Sequence, residues 1–256
     1  IDIEGIKVND WNNGQTIDGG KPIYAPYVTF HANVGQTFKM TTKDYTISGL
    51  EYSVNDGEWK KVVAGEEVSF GGIDGNLRLR GTNIYGTAFS TSEYSTITFD
   101  KNVNVACTGD IRTLLNWKNY STVETQNARF CNLFQGCSVL TSAPELPATT
   151  LADNCYSAMF EGCSVLTSAP ELPATTLALG CYSSMFSDCT SLTSAPTLPA
   201  ETLANYCYIG MFISCTSLTS APTLSATTLA DYCYTGMFNG CTSLTSAPTL
   251  SATTLA

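Results

Sequence analysis

The chain has 256 residues, a formal net charge of −10 and a hydrophobic fraction of 43%. Both halves are acidic, with a net charge of −4 over residues 1–126 and −6 over residues 127–256, where Arg129 is the single basic residue. So little positive charge disfavours nucleic acids and anionic membranes as partners. No stretch approaches the roughly 18 apolar residues of a membrane helix, so no membrane insertion is expected in this segment.

Residues 1–100 carry the pattern of β-strands. Apolar and polar residues alternate, or nearly alternate, over 27–34, 50–54, 66–70, 76–80 and 95–99. Asp56-Gly57 predicts a two-residue hairpin turn, because both central residues of such a turn must accept positive φ. Several strands at short spacing predict an antiparallel β-sandwich of immunoglobulin-like type, with the strand order left open.

Residues 101–126 are predicted to link this domain to the rest of the chain. Residues 102–106 predict a strand, and Asp110 suits the N-cap of a short helix over 111–117. A stack of repeats exposes the apolar edge of its first unit unless an atypical element covers it. Leu114, Leu115 and Trp117 are therefore the expected N-terminal cap.

Residues 127–256 consist of five consecutive copies of a 26-residue unit, numbered here copy one (127–152) to copy five (231–256). The copies align on a phenylalanine column and a cysteine column, namely Phe134, Phe160, Phe186, Phe212, Phe238 and Cys137, Cys163, Cys189, Cys215, Cys241. Self-similarity at this period predicts a solenoid, in which each unit buries its apolar face against its neighbours.

Within copy three, the apolar residues from 181 to 189 have the spacing of one face of a short helix, at Cys181, Met185, Phe186 and Cys189. The Thr/Ser/Pro-rich segment that follows predicts a short extended stretch, interrupted at Pro196 because proline has no N–H to donate. The predicted fold class is thus an α+β repeat fold, with an N-terminal antiparallel β-sandwich followed by a solenoid over 127–256.

The run Cys181-Tyr-Ser-Ser-Met-Phe-Ser-Asp-Cys-Thr-Ser-Leu-Thr-Ser-Ala-Pro196 and its counterparts resemble the BspA-type leucine-rich repeats of bacterial surface proteins, especially those of gut Bacteroidetes. The resemblance covers residues 127–256 and all five copies. It implies a curved right-handed leucine-rich-repeat solenoid of parallel extended segments and short helices. It also implies an exported protein that attaches to host or microbial partners.

Eleven cysteines in an exported protein would ordinarily suggest disulfides. On a helix, however, Cys155 and Cys163 would be roughly 12 Å apart in rise, well beyond the Cα separation that a disulfide spans. The cysteine columns are therefore predicted to be reduced and buried. Cys107 and Cys131 lie outside the columns, and a disulfide between them stays open. A zinc site is disfavoured, because the sequence has no Cys-x-x-Cys and no nearby histidine, and no cofactor is expected.

Catalytic constellations are not evident. His31 is the only histidine and lies in a strand pattern, which disfavours a Ser–His–Asp or Cys–His arrangement. Glu66 and Glu67 are adjacent in a strand and point to opposite faces, so they do not form an acid–base pair. Trp11 and Trp59 are candidates for a sugar-stacking platform, although core or hairpin packing is favoured for both. The protein is therefore not expected to be an enzyme.

The favoured function is a non-enzymatic extracellular recognition or adhesion module for a host or microbial surface protein or glycan. A phage tail or fibre component and a carbohydrate-active enzyme or accessory protein remain alternatives. The chain starts at Ile1 without Met, which is compatible with a removed signal peptide. The repeat pattern runs to Leu255-Ala256, so either the natural chain continues or another subunit covers copy five, which leaves self-association open.

The candidate binding residues form two columns of hydroxyl side chains. Because leucine and alanine are expected to point inward, these hydroxyls are predicted to form exposed rows that hydrogen-bond an extended glycan or peptide. The residues are Thr141, Thr167, Thr193, Thr219 and Thr245, with Ser142, Ser168, Ser194, Ser220 and Ser246.

Overall fold

The structure is a computed structural model that describes residues 16–18, 21–23, 26–100 and 102–252. Its strands are β1 Thr16–Asp18, β2 Lys21–Ile23, β3 Val28–His31, β4 Gly35–Lys43, β5 Leu50–Val54, β6 Lys60–Lys61, β7 Glu67–Gly71, β8 Asn76–Gly81, β9 Ala88–Ser90, β10 Glu93–Phe99 and β11 Ala106–Thr108. The described helices are α1, Thr113–Asn116, and a 3-10 helix at Tyr120–Thr122.

Two antiparallel sheets form the N-terminal part. One has the strand order β7-β4-β10-β9 and the other β11-β3-β8-β5-β6, while β1 and β2 pair separately. Alternate side chains of each strand point into the space between the sheets, where the rings of Phe30 in β3 and Phe38 in β4 lie 6.2 Å apart. A sandwich-like β arrangement therefore surrounds one buried apolar layer.

The hairpin between β5 and β6 turns one residue earlier than predicted. Asn55 and Asp56 have φ of 50° and 59°, and the N–H of Gly57 donates to the carbonyl of Val54 at 3.0 Å. Asn55 and Asp56 are thus the two central residues of the turn. Asparagine and aspartate tolerate the left-handed region better than most residues.

The linker between the sheets and the repeats differs from its prediction. The strand expected over 102–106 lies at β11, and α1 is shorter than expected, with Arg112 rather than Asp110 as its N-cap. Leu114 and Leu115 are buried in the same apolar cluster as the sandwich and repeat residues, whereas Trp117 packs with Tyr27 in a separate cluster. The predicted helix therefore supplies only part of the cover.

The rest of the cover over copy one comes from the sandwich. The N–H of Ile97 in β10 donates to the carbonyl of Leu133 at 2.7 Å, and the N–H of Val105 donates to the carbonyl of Val139 at 2.8 Å. The ring of Phe30 lies 6.1 Å from that of Phe134. One apolar cluster thus continues from the two sheets into the copies.

The predicted fold class, α+β with a leucine-rich-repeat solenoid of five units, is wrong. Strands account for 26% of the structure and helices for 3%, and the strands lie in two antiparallel sheets of a sandwich-like β fold. Both helices precede the copies, and the described residues 127–252 contain no helix. The short helix expected in each copy is absent.

Positive φ angles explain why these segments are not helical. In copy three, Gly180, Ser184 and Asp188 have φ of 58°, 53° and 59°, whereas an α-helix needs φ near −60° at every residue. Every other N–H group in these segments donates to the carbonyl three residues earlier and closes a turn. The N–H of Ser183, for example, donates to the carbonyl of Gly180 at 3.1 Å. We call residues 180–189 and their counterparts in the other copies the turn segments.

The remaining N–H groups of the turn segments join consecutive copies. The N–H groups of Tyr182, Ser184 and Phe186 donate to the carbonyls of Cys207, Ile209 and Met211, each at 2.9 Å. The phenylalanine rings stack in the same order, with centroids 5.4 to 5.7 Å apart along the column. Each copy therefore packs on the next in a fixed register.

These hydrogen bonds all run from one copy to the carbonyls of the following copy. Copy five has no following copy among the described residues, so its corresponding amides find no acceptor there. The donors are the N–H groups of Tyr232, Tyr234, Gly236, Phe238 and Gly240.

Candidate functional site

The threonine column is exposed in copies two to five, at Thr167, Thr193, Thr219 and Thr245. The Thr193 hydroxyl donates to the carbonyl of Thr167 at 3.3 Å, and the Thr219 hydroxyl donates to that of Thr193 at 3.2 Å. Thr141 is half-buried and donates to the carbonyl of Val105 at 3.1 Å. The hydroxyl protons of Thr141, Thr193 and Thr219 thus join consecutive segments of the chain rather than face a ligand.

The serine column offers freer groups. Ser168, Ser194, Ser220 and Ser246 are exposed, and the Ser194 and Ser220 backbones are neighbours in a parallel bridge. Within the described part of the chain, the four hydroxyls make no hydrogen bond. Ser142 differs, because its Oγ accepts from the N–H of Cys107 at 2.9 Å and donates to the carbonyl of Cys107 at 2.8 Å. The structure therefore brings together four available serine hydroxyls in consecutive copies.

A groove on copies one and two combines prolines with two carboxylates. It measures about 440 Å³ and is lined by Ala143, Pro144, Glu145, Leu146, Pro147, Pro170, Glu171 and Pro173. Glu145 and Glu171 are exposed, and neither forms an ion pair among the described residues. Copies three to five carry threonine at this position, namely Thr197, Thr223 and Thr249. The groove is thus a feature of the first two copies rather than of the whole repeat.

The eleven cysteines are free, and all except the half-buried Cys241 are buried. The Cys189 thiol donates to the carbonyl of Phe160 at 3.1 Å, and the Cys215 thiol donates to that of Phe186 at 3.0 Å. Burial raises the pKa of the Cys215 thiol to about 12. Because the thiolate rather than the thiol is the nucleophile, burial keeps these cysteines in the less reactive protonated form, and they pack between copies.

The two cysteines outside the columns are also free. Cys131 donates to the carbonyl of Ser90 at 3.2 Å, while Cys107 is buried beside β3 through the pairing of β11. Burial raises the pKa of the Cys131 thiol to about 11. The disulfide that the sequence left open between them does not form in this structure.

The sequence candidates for catalysis are not brought together. His31 is exposed on β3, between Ala106 and Asn76 on the neighbouring strands. Glu67 forms an ion pair with Lys39 at 2.6 Å on the outside of the other sheet. Across the described residues, no group of three His, Cys, Asp or Glu side chains is placed to hold a metal ion. None of the described helices has the length and apolar character to cross a membrane.

Trp59 is not a free platform. The Arg80 guanidinium lies between two indoles, 4.1 Å from the Trp59 ring and 4.2 Å from the Trp117 ring. It also donates through Nε to Glu51 at 2.8 Å. The aromatic face of Trp59 is therefore used within the sandwich, and Trp11 lies outside the described residues.

An exposed pair of tyrosines was not predicted from the sequence. Tyr206 and Tyr232 are 39% and 60% exposed, and their rings stack at 5.0 Å with an interplanar angle of 7°. The signal that pointed to them was the variation between otherwise similar copies, since the same position holds Asn154 in copy two and Gly180 in copy three.

The sequence matches no family model, and neither a curated protein nor a solved structure is significantly similar to the chain. The resemblance to BspA-type repeats therefore stays a prediction.

Proposed function

We propose that this protein is a non-enzymatic extracellular recognition or adhesion module that binds a surface protein or a glycan through its copies. The observation that carries the proposal is the row of exposed serine hydroxyls at Ser168, Ser194, Ser220 and Ser246, which have no hydrogen-bond partner among the described residues. Backbone hydrogen bonds and stacked rings hold consecutive copies in register. A ligand with a repeating structure therefore meets the same donor and acceptor at regular intervals.

The strength of such binding would come from repetition. One hydrogen bond contributes about 0.5–1.5 kcal/mol net, which corresponds to roughly a two- to tenfold change in affinity. The copies carry a net charge of −6 with Arg129 as their single basic residue, so ion pairs with an anionic ligand contribute little. Binding should accordingly depend weakly on salt, because screening acts on charged contacts.

Self-association through copy five is not part of this proposal. The backbone groups of its turn segment that lack partners in the described part of the chain, such as those of Tyr234 and Phe238, are N–H donors. Two molecules that met through these edges would face donors with donors. At the opposite edge, the sandwich already occupies two carbonyls of the copy-one turn segment, those of Arg129 and Leu133, which leaves fewer acceptors for head-to-tail stacking.

The test uses the full chain on an array of glycans and extracellular proteins. For each ligand found, affinity is measured for a variant that carries S168A, S194A, S220A and S246A. The matched control carries T149A, T175A and T227A, which removes exposed hydroxyls from a different column. We expect a loss of about two- to tenfold per serine and little change in the control. Equal affinity for both variants, or a collapse of binding in moderate salt, would contradict the proposal.

A further inference from the structure

The tyrosine pair has a backbone conformation that its side chains do not favour. Tyr206 and Tyr232 have φ of 59° and 56°, in the same column as Asn154 and Gly180 with φ of 55° and 58°. Bulky residues are rare at positive φ, whereas glycine and asparagine accept it readily. Copies four and five thus carry tyrosine at a position where copies two and three carry residues that suit the turn.

The rings are not needed to hold the copies together. Gly180 occupies the same column without a side chain, and copy three keeps the same hydrogen bonds, including Gly180 N–H to the Asn205 carbonyl at 3.0 Å. The neighbouring tyrosine column, in contrast, is buried and stacked, as for Tyr182 and Tyr208 at 5.6 Å. Strained backbone that does not serve packing is a reason to look for function.

The surroundings of the pair are polar and uncharged or acidic. Asn205 and Asp231 are exposed beside the two rings, and Asn205 Oδ1 accepts from the N–H of Asp231 at 3.1 Å. The amide nitrogen of Asn205 and the carboxylate of Asp231 make no further hydrogen bond among the described residues. A shallow recess of about 450 Å³ adjoins Tyr232 and runs from Leu229 to Thr235.

We propose that Tyr206 and Tyr232 form a platform on which a neutral pyranose ring of an oligosaccharide stacks. An aromatic face is electron-rich and attracts the C–H groups of such a ring, while the Asn205 amide and the Asp231 carboxylate hydrogen-bond its hydroxyls. The acidic surroundings disfavour sugars that carry carboxylate or sulfate groups. A purely apolar partner would leave the exposed Asn205 and Asp231 without their water and without new partners.

The inference rests on the proposed function only in placing binding on the copies, and it names the class of ligand. It uses a different column from the serine row, so the two ideas can fail separately. Loss of binding in the serine variant alone would remove the tyrosine platform and keep the recognition function. Loss of binding in the tyrosine variant alone would remove the serine row as the binding surface and keep the tyrosine platform.

The test compares the full chain with Y206G/Y232G and with Y206F/Y232F. Glycine copies the residue that copy three carries at this position, so the double glycine variant should keep or raise the thermal midpoint because the backbone strain is relieved. Phenylalanine keeps both rings and removes only the hydroxyls. A Y85A variant removes an exposed aromatic ring from the sandwich instead and serves as the control.

The probes are cellohexaose, maltohexaose and chitohexaose, each titrated calorimetrically. We expect at least one of them to bind the unaltered chain, with affinity lowered at least tenfold in Y206G/Y232G and changed less than threefold in Y206F/Y232F and Y85A. Failure of all three saccharides to bind would overturn the proposal. Unchanged affinity in Y206G/Y232G would do so as well, and an equal loss in Y85A would show that the effect is not specific to the pair.

Discussion

Replacing Phe186 with alanine should be one of the most destabilising single substitutions in the copies. The side chain is fully buried, and its ring stacks between Phe160 at 5.6 Å and Phe212 at 5.7 Å. Truncation of a buried phenylalanine costs about 3–5 kcal/mol, and loss of two aromatic pairs lies within that range. Phe238 is only partly buried and has one stacked neighbour, so F238A should cost about half as much.

The measurement is urea unfolding of F186A, F238A and F89A, followed by tryptophan fluorescence and far-UV circular dichroism. Phe89 is 54% exposed on the sandwich and has one ring neighbour, Tyr45 at 5.1 Å, so F89A removes the same side chain from a much less buried position and serves as the control. The expected order of stability loss is F186A, then F238A, then F89A, which should cost under about 1 kcal/mol. A loss for F186A no larger than that for F89A would refute the stacked phenylalanine column.

Three further predictions concern the thiols and the turn segments. A thiol reagent at neutral pH should modify no more than one or two cysteines of the native protein, with Cys241 first because it alone is half-buried, and should modify all eleven after denaturation. Rapid reaction of most thiols in the native protein would contradict their burial. Burial raises the pKa of the Cys137 and Cys215 thiols to about 12, above the value of about 8.5 in an unfolded chain, so the folded state holds these protons more tightly. The free energy of unfolding should therefore be retained below about pH 8.5 and fall as the pH rises towards 12, by about 1.4 kcal/mol for each such thiol at pH 9.5. An equal urea midpoint at pH 7 and pH 9.5 would be inconsistent with this. Finally, Ser184 has φ of 53°, so S184G should raise the thermal midpoint slightly. At the equivalent position of copy four, Gly210 has φ of 61° and an added Cβ would lie 2.8 Å from Ile213 Cδ1, so G210V should lower the thermal midpoint by several degrees. An unchanged thermal midpoint in G210V would count against the left-handed turn.

Alternation of apolar and polar residues predicted several strands of the sandwich. The segment 50–54 coincides with β5, and 76–80 falls within β8. β4 was missed because the buried Gln36 interrupts the apolar pattern at its start. Its amide nitrogen donates to the carbonyls of Asp100 and Val103 at 3.0 and 2.8 Å. A polar side chain is buried there because distant backbone groups satisfy it, which periodicity does not reveal.

The helix prediction failed because two structures share one spacing. A helical face and a run of turns that repeats every four residues both place Cys181, Met185 and Cys189 on one side. Glycine was the distinguishing signal, since it recurs with the 26-residue period at two of the positions with positive φ. These glycines are Gly136, Gly162 and Gly240 in one column and Gly210 and Gly236 in the other.

The two predicted hydroxyl columns differ in the structure. The sequence located the serine column, but it gave the threonines the same role, because hydrogen bonds between copies such as that from Thr193 to Thr167 at 3.3 Å cannot be read from a single unit. Tyr206 and Tyr232 lie at positions where the copies differ, and only the stacked geometry shows that their rings are exposed together.

Both binding proposals require copies that are joined in register through their turn segments, where the backbone hydrogen bonds between copies run only from one copy to the next. Amide hydrogen exchange resolved by residue tests this most directly. The N–H groups of Tyr182 and Phe186 donate to copy four and should exchange slowly. The N–H groups of Tyr234 and Phe238 in copy five lack acceptors among the described residues and should exchange fast. The N–H of Met237 donates to the Tyr234 carbonyl at 3.2 Å and should exchange more slowly than both. Equal exchange rates along the turn segment of copy five, or fast exchange at Tyr182 and Phe186, would contradict the account.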